Sequence, residues 1–146
     1  MLYMHYSWSA DDWYLLTASR DATCKLWRFD ASSSSDRRCE CILQWTPFSG
    51  VAVTAVDVSS LMNDEVLLAC GSEVGEISVW RVSASSTSPQ AHCIVSTSAN
   101  QCHGLMVKRL NWSPVDYRKC DKLERLLRLG SCGDDHTVRV FDFEYQ

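Results

Sequence analysis

Three stretches of this chain share one cadence, and that repetition limits the fold more than any other feature. YLLTASRDATCKLWRFD (14–30), VLLACGSEVGEISVWRV (66–82) and LLRLGSCGDDHTVRVFD (126–142) each run apolar, then polar, then apolar again. The flanking runs are short, rich in β-branched residues and close to a period of two, which is a strand signal. Between them sit Gly, Asp and Ser, residues that suit the left-handed backbone of tight hairpins. An isolated hairpin is marginal in water, so repeated hairpins must bury their faces against each other.

Superimposing the stretches on Trp27, Trp80 and Phe141 brings the turn residues Asp21, Val74 and Asp135 together, with Thr17, Cys70 and Ser131 four positions upstream. A further β-like run precedes each hairpin, with matching pairs Tyr6/Trp8, Val56/Val58 and Leu110/Trp112. Ser-rich stretches at 31–38 and 83–90 read as loops, and the apolar runs CILQW (41–45) and HCIV (92–95) that follow supply a fourth strand. The segment 113–127 is ambiguous: its first part reads as loop or helical turn, its end as strand. The anchors lie 53 and 61 residues apart, somewhat more than the roughly 40–45 residues of a WD-type propeller blade. These observations predict an all-β chain of about three four-stranded units, at 1–46, 51–96 and 103–146. Trp27, Trp80 and Phe141 are expected on the third strand of each unit and largely buried.

Composition removes several function classes. Of 146 residues, 46% are hydrophobic, ample for a core, and the net charge of −4 gives no global pull toward nucleic acid or anionic membrane. No apolar run approaches the ~20 residues of a membrane span, and MLYMHYSWSADD has no basic start of the kind that opens a signal peptide. Eight cysteines invite a disulfide or zinc reading. Cys24 and Cys70 fall inside expected strands, no Cys-x-x-Cys pair occurs, and Cys39 and Cys41 stand too close for a zinc knuckle. Buried, reduced thiols acting as small apolar residues fit better, so no metal, no cofactor and no disulfide are expected.

Two clusters carry potential chemistry. Cys102–His103 places a nucleophile beside a base, but neighbouring strand residues point to opposite faces. Asp134–Asp135–His136 offers acid–base groups, yet the same spacing is what a hairpin turn wants, with Asp135 accepting backbone N–H bonds. No catalytic residue is assigned. Asn111-Trp112-Ser113 matches a glycosylation sequon and is taken as accidental. Eight of the fourteen Lys and Arg fall after residue 100, among them Lys108, Arg109, Arg128 and Arg139, but seven acids share that region. A solvated mixed surface is favoured there over a tRNA-facing patch.

WSADDWYLLTASRDATCKLW (8–27), HCIVSTSANQCHGLMVKRLNW (92–112) and SCGDDHTVRV (131–140) carry a resemblance to a known family. Four-strand repeats with this Ser/Thr…Asp…Trp pattern resemble WD40 β-propeller blades. These three stretches are similar in particular to the C-terminal blades of the WD40 subunit of the Elongator complex. The resemblance covers nearly the whole chain in the right order. It implies a fragment of a WD40-type β-propeller and a non-catalytic scaffold. The family works within an assembly that modifies the wobble uridine of tRNAs and is linked to transcription elongation.

The expected partners are other Elongator subunits, with at most weak, indirect tRNA contact, and with no membrane and no small-molecule substrate. The expected location is cytoplasm and also nucleus. The resemblance further implies structural anchors at Thr17, Asp21, Trp27, Trp80, His103, Ser131, Asp135 and Phe141, with His103, Ser131 and Asp135 joined in the hydrogen-bonded set of WD40 blades. It places Arg20, Glu73 and Asp134 on a partner-facing end. Trp13, in the loop ADDWY, is a further candidate anchor for a partner.

This chain departs from the pattern at Val74, which replaces the turn Asp, at Phe141, which replaces Trp, and at His103-Gly104, where Gly and His are reversed. The alternatives are another WD40 interaction module, such as a substrate adaptor of a ubiquitin ligase, and an enzyme built on the Cys102–His103 or Asp134–Asp135–His136 cluster. Three blades cannot close a ring. The chain is therefore expected to be an incomplete propeller that depends on partner surface, open at Val138–Phe141 and near Leu2–Trp8.

Overall fold

The computed structural model describes residues 2–7, 12–30, 39–60, 65–83, 88–113 and 125–145. The first sheet is β1 (Leu2–Ser7), β2 (Asp12–Ala18), β3 (Cys24–Asp30) and β4 (Cys39–Trp45), in that spatial order. The second is β5 (Val53–Ser60), β6 (Glu65–Ser72), β7 (Ile77–Ser83) and β8 (Gln90–Ser96). The third is β9 (Val107–Trp112), β10 (Arg125–Gly133) and β11 (Val138–Tyr145), with three strands among the described residues. All neighbours are antiparallel, and there is no helix among the described residues. The Ser-rich stretch 31–38, the first part of the ambiguous segment 113–127 and Trp8 lie outside the described residues.

The first strands of successive sheets are neighbours, β1 beside β5 and β5 beside β9, so the sheets stack face to face like blades around an axis. Side-chain alternation on β6 shows why its sequence is apolar throughout. Val66, Leu68 and Cys70 enter the core shared with the first sheet, while Leu67 and Ala69 enter the core shared with the third. A strand covered on both faces loses the polar half of its period. On β7, Val82 faces the first sheet and Ile77 and Val79 the third. Each such fully buried side chain stabilises the stack by about 1.5–3 kcal/mol relative to exposure.

The repeat extends to irregularities. A register shift falls between Leu26 and Trp27 in the β3–β4 pairing and again between Val79 and Trp80 in β7–β8, leaving Trp27 opposite Cys41 and Trp80 opposite Cys93. Trp27, Trp80 and Phe141 all occupy the third strand of their sheet, but each is half-buried rather than largely buried. Trp80 and Phe141 pack only on the margins of the two cores, on the side facing the preceding sheet. Trp27 is paired with Leu15 on the face of β3 opposite Cys24 and Leu26, so no described sheet covers it. Another correction concerns Trp13: its backbone lies in β2, between Ser7 and Phe29, not in a loop.

The hairpin turns also differ from the composition-based expectation in one detail. The left-handed positions are Ala22 (φ 68°), Gly75 (φ 96°) and His136 (φ 60°), one residue after the aligned turn positions. Asp134, Asp135 and Gly133 do not supply them.

Adjacent sheets are also tied by polar bonds. Thr54 Oγ1 donates to Val107 O (2.7 Å), and the Asp57 carboxylate accepts from Trp112 N (2.5 Å) and Asn111 Nδ2 (3.3 Å). Burial pushes the Asp57 carboxyl above its usual range, and the N–H groups of Trp112 and Val58 and the Asn111 amide offset part of that rise. Cys24 and Cys70 bring their thiols to 3.9 Å across the interface of the first two sheets.

Candidate functional site

The densest polar constellation is built around the β10–β11 turn. Asp135 Oδ1 accepts from Thr137 N (3.1 Å) and Thr137 Oγ1 (2.8 Å), closing the turn, while Oδ2 accepts from Gly104 N (2.8 Å). The His103 ring enters from the loop before β9. Its Nδ1 lies 2.9 Å from Asp135 Oδ1, and its Nε2 lies 2.8 Å from Ser131 Oγ. A carboxylate only accepts, so Nδ1 carries the proton that bonds Asp135. In the neutral ring Nε2 then accepts the Ser131 hydroxyl. Gly133 makes room for the imidazole, since a Cβ there would stand 2.8 Å from Nδ1. Burial raises the Asp135 carboxyl, but hydrogen bonds from Gly104 N–H, His103 and both Thr137 donors outweigh it and hold the group well below the usual carboxylate range.

Ser, His and Asp in this order at these distances also describe a nucleophilic triad. The environment decides between the two uses. Ser131 is 4% exposed and His103 2%, so neither the hydroxyl nor the base has an open approach for an acyl carbon. The constellation ties the loop before β9 to the third sheet. The other chemical pairings come apart in space. Cys102 Sγ turns to Thr97 Oγ1 (3.3 Å) while both nitrogens of His103 are engaged elsewhere. Asp135 points inward, Asp134 pairs with Lys108 (3.1 Å), and His136 is exposed.

The same turn is solved differently in each sheet. In the first, Asp21 Oδ1 accepts from Thr23 N (2.9 Å) and Thr23 Oγ1 (2.6 Å), and Trp27 Nε1 donates to Thr17 Oγ1 (3.0 Å). The Thr23 hydroxyl is the main cause of a lowered Asp21 carboxyl. In the second, Val74 offers no acceptor, and Ser72 Oγ accepts from Glu76 N instead (2.9 Å). Trp80 Nε1 turns to Ser78 Oγ (2.8 Å), because Cys70 stands where Thr17 and Ser131 carry hydroxyls. In the third, Phe141 has no donor and His103 takes the Ser131 hydroxyl.

Thr137 belongs to this set and sequence reasoning missed it, although Asp-x-Thr recurs at 21–23 and 135–137. The Asp57 clasp was also missed; a lone Asp in an apolar strand gives no hint of its partner on another sheet.

Of the candidate partner-facing residues, Arg20 and Glu73 are exposed in their turns and Asp134 is half-buried. Glu73 and Asp134 come to the same end of the stack: Glu73 N donates to Ala52 O (3.1 Å) and Asp134 N to Met106 O (2.9 Å), each bonding the loop before the inner strand. The side chain of Trp13 lies outside the described residues. Lys108 is paired with Asp134, and Arg128 forms two bonds to Asp142 (2.7 and 2.9 Å), so the basic bias after residue 100 is partly neutralised locally.

Stacked antiparallel sheets with one recurring turn and anchor define a β-propeller segment of the WD40 type. No family model matches the chain. Over 95% of its length it is 36% identical to Elongator complex protein 2 of Arabidopsis thaliana and 30% identical to that of Dictyostelium discoideum. It is 30% identical to Elongator complex protein 2 of Homo sapiens over 91% of its length. The chain spans only 16%, 16% and 17% of those relatives. These similarities relate the whole chain to one segment of Elongator complex protein 2, in agreement with the resemblance read from the motifs.

Proposed function

We propose that this chain is a non-catalytic scaffold element of the Elongator complex, holding other Elongator subunits through the turn-bearing end of its sheets. Through that assembly it supports wobble-uridine modification of tRNA, and by the same route transcription elongation, in cytoplasm and nucleus. Similarity along the full chain to proteins named for that complex carries the reading. The burial of Ser131 and His103 supports it, because this catalytic-looking constellation is used to hold a loop. No cofactor and no small-molecule substrate enter this role, and contact with tRNA is indirect. Affinity purification of the tagged protein from native extract tests the proposal. Recovery of the other Elongator subunits is the expected result. Recovery of ubiquitin-ligase components in their place, or of no Elongator subunit, overturns it.

A further inference from the structure

The second repeat departs from the other two in a way that its own structure does not require. Asp21 and Asp135 each accept the N–H two residues on, and Val74 stands at the equivalent place. Ser72 Oγ takes over that N–H, from Glu76 (2.9 Å). Position 74 is thereby released from the turn, yet it carries an apolar side chain that is 53% exposed. The loop before β9 lies against the same turn. His103 N donates to Gly75 O (3.0 Å), and a Cβ on Gly75 would meet His103 O at 2.0 Å and Leu105 O at 2.9 Å. That loop presents Leu105, 55% exposed. Two large apolar side chains, each more than half exposed and outside both apolar cores, thus stand on neighbouring backbones at one end of the molecule.

The turn at 73–76 and the loop at 103–106 that carry them hold, with the turn at 133–137, four acids, Glu73, Glu76, Asp134 and Asp135, and no Lys or Arg. Lys108 neutralises Asp134, and His103 faces Asp135 from the buried side. Glu73 is exposed, and no cation pairs with it among the described residues.

We infer that Val74 and Leu105, rimmed by Glu73 and Glu76, form a docking patch for a partner-protein segment that carries an aliphatic or aromatic side chain next to Lys or Arg. The apolar pair supplies the buried contact and the acids select for basic flanks. This rests on the reading of the chain as a protein-binding module, and purification of the complex tests that reading separately.

The test uses a fluorescein-labelled hexapeptide, Lys-Leu-Phe-Lys-Leu-Lys, with two controls: one with Glu for every Lys, one with Ser for every Leu and Phe. Fluorescence anisotropy is measured against the intact chain, the single variants Val74→Asp and Leu105→Ser, and the double variant. Val74→Asp restores the turn residue of the other two repeats, so its melting temperature is expected to stay level or rise. Binding of the basic–apolar peptide is expected to fall about tenfold or more in each single variant, to weaken with added salt, and to be absent for both controls. Equal binding by the acidic control, unchanged binding by the variants, or no binding to the intact chain overturns the proposal. So does a lowered melting temperature in both single variants, which makes the two residues structural.

Discussion

The three repeats contain an internal experiment on what covers a blade. Cys24, Ile77 and Val138 are equivalent by position from the aromatic anchor, and so are Leu26, Val79 and Val140. Where another sheet follows, Ile77 and Val79 are each 2% exposed and Leu26 is 1% exposed; on the last sheet Val138 is 75% and Val140 61% exposed. Replacing Val by Thr keeps volume and strand preference and exchanges one methyl for a hydroxyl. Val79→Thr buries that hydroxyl in an apolar core, at about 1–3 kcal/mol. Val140→Thr changes a wet surface and should lie within about 0.5 kcal/mol of the parent. Urea denaturation of the isolated chain at low micromolar concentration measures both. Light scattering at higher concentration adds a second readout. The open valine face should make the parent self-associate, and the Val138→Thr/Val140→Thr pair should shift it toward monomer. Equal costs at 79 and 140, or a monodisperse parent unaffected by the pair, refute the stacked arrangement.

The left-handed turn positions give a second expectation. His136→Gly should raise stability by about 0.5–1 kcal/mol in chemical denaturation, because it removes a Cβ from φ 60°, whereas Gly75→Ala should lower it by more, given the 2.0 Å approach of His103 O. His103→Ala strands the buried Ser131 hydroxyl and removes a partner of Asp135. It should cost about 2–4 kcal/mol, and a cost below about 0.5 kcal/mol would contradict the strut role. The two unusual carboxyls give opposite pH signatures. Asp135, held low, contributes stability that is present above about pH 4 and lost as pH falls further. Asp57, held high, binds its proton more tightly when folded, so its ionisation erodes stability as pH rises from about 4 toward its folded value. Asp57→Asn should abolish only this second limb in a pH series of melting temperatures, and persistence of that limb would assign it elsewhere.

The repeat was legible because hairpin chemistry is local. Strand alternation, turn composition and the aromatic anchor all act within about a dozen residues, and Trp27, Trp80 and Phe141 fell on equivalent strands. The degree of their burial was not legible, since it depends on which sheet lies opposite, and that is set by residues about 50 positions away. Trp13 was misread for a related reason. ADDWY has the polarity of a loop, but the pairing of β2 with β3 extends through Asp12 and Trp13, and its pairing with β1 reaches Trp13, so the segment is held within the sheet. At the site, the turn role of Asp135 was read from the hairpin spacing and the joining of His103 to Ser131 and Asp135 came from the family resemblance, while Thr137 and Asp57 depended on partners brought by the fold.

The second repeat joins these observations. It has lost the turn Asp and the strand hydroxyl that the first and third repeats keep, yet among the described residues its β6 has the longest run of buried positions, seven consecutive residues from Val66 to Ser72. A blade covered on both faces draws its stability from two cores, so the loss of about 1 kcal/mol from one turn or anchor hydrogen bond is small beside the apolar area it buries. Among the described residues the first and third sheets each contribute to one apolar core. The third carries the full His103–Ser131–Asp135–Thr137 set, and the first carries the Thr17–Trp27 and Asp21–Thr23 bonds. In the middle blade, where Ser72 Oγ accepts the turn N–H of Glu76, Val74 is released from the turn.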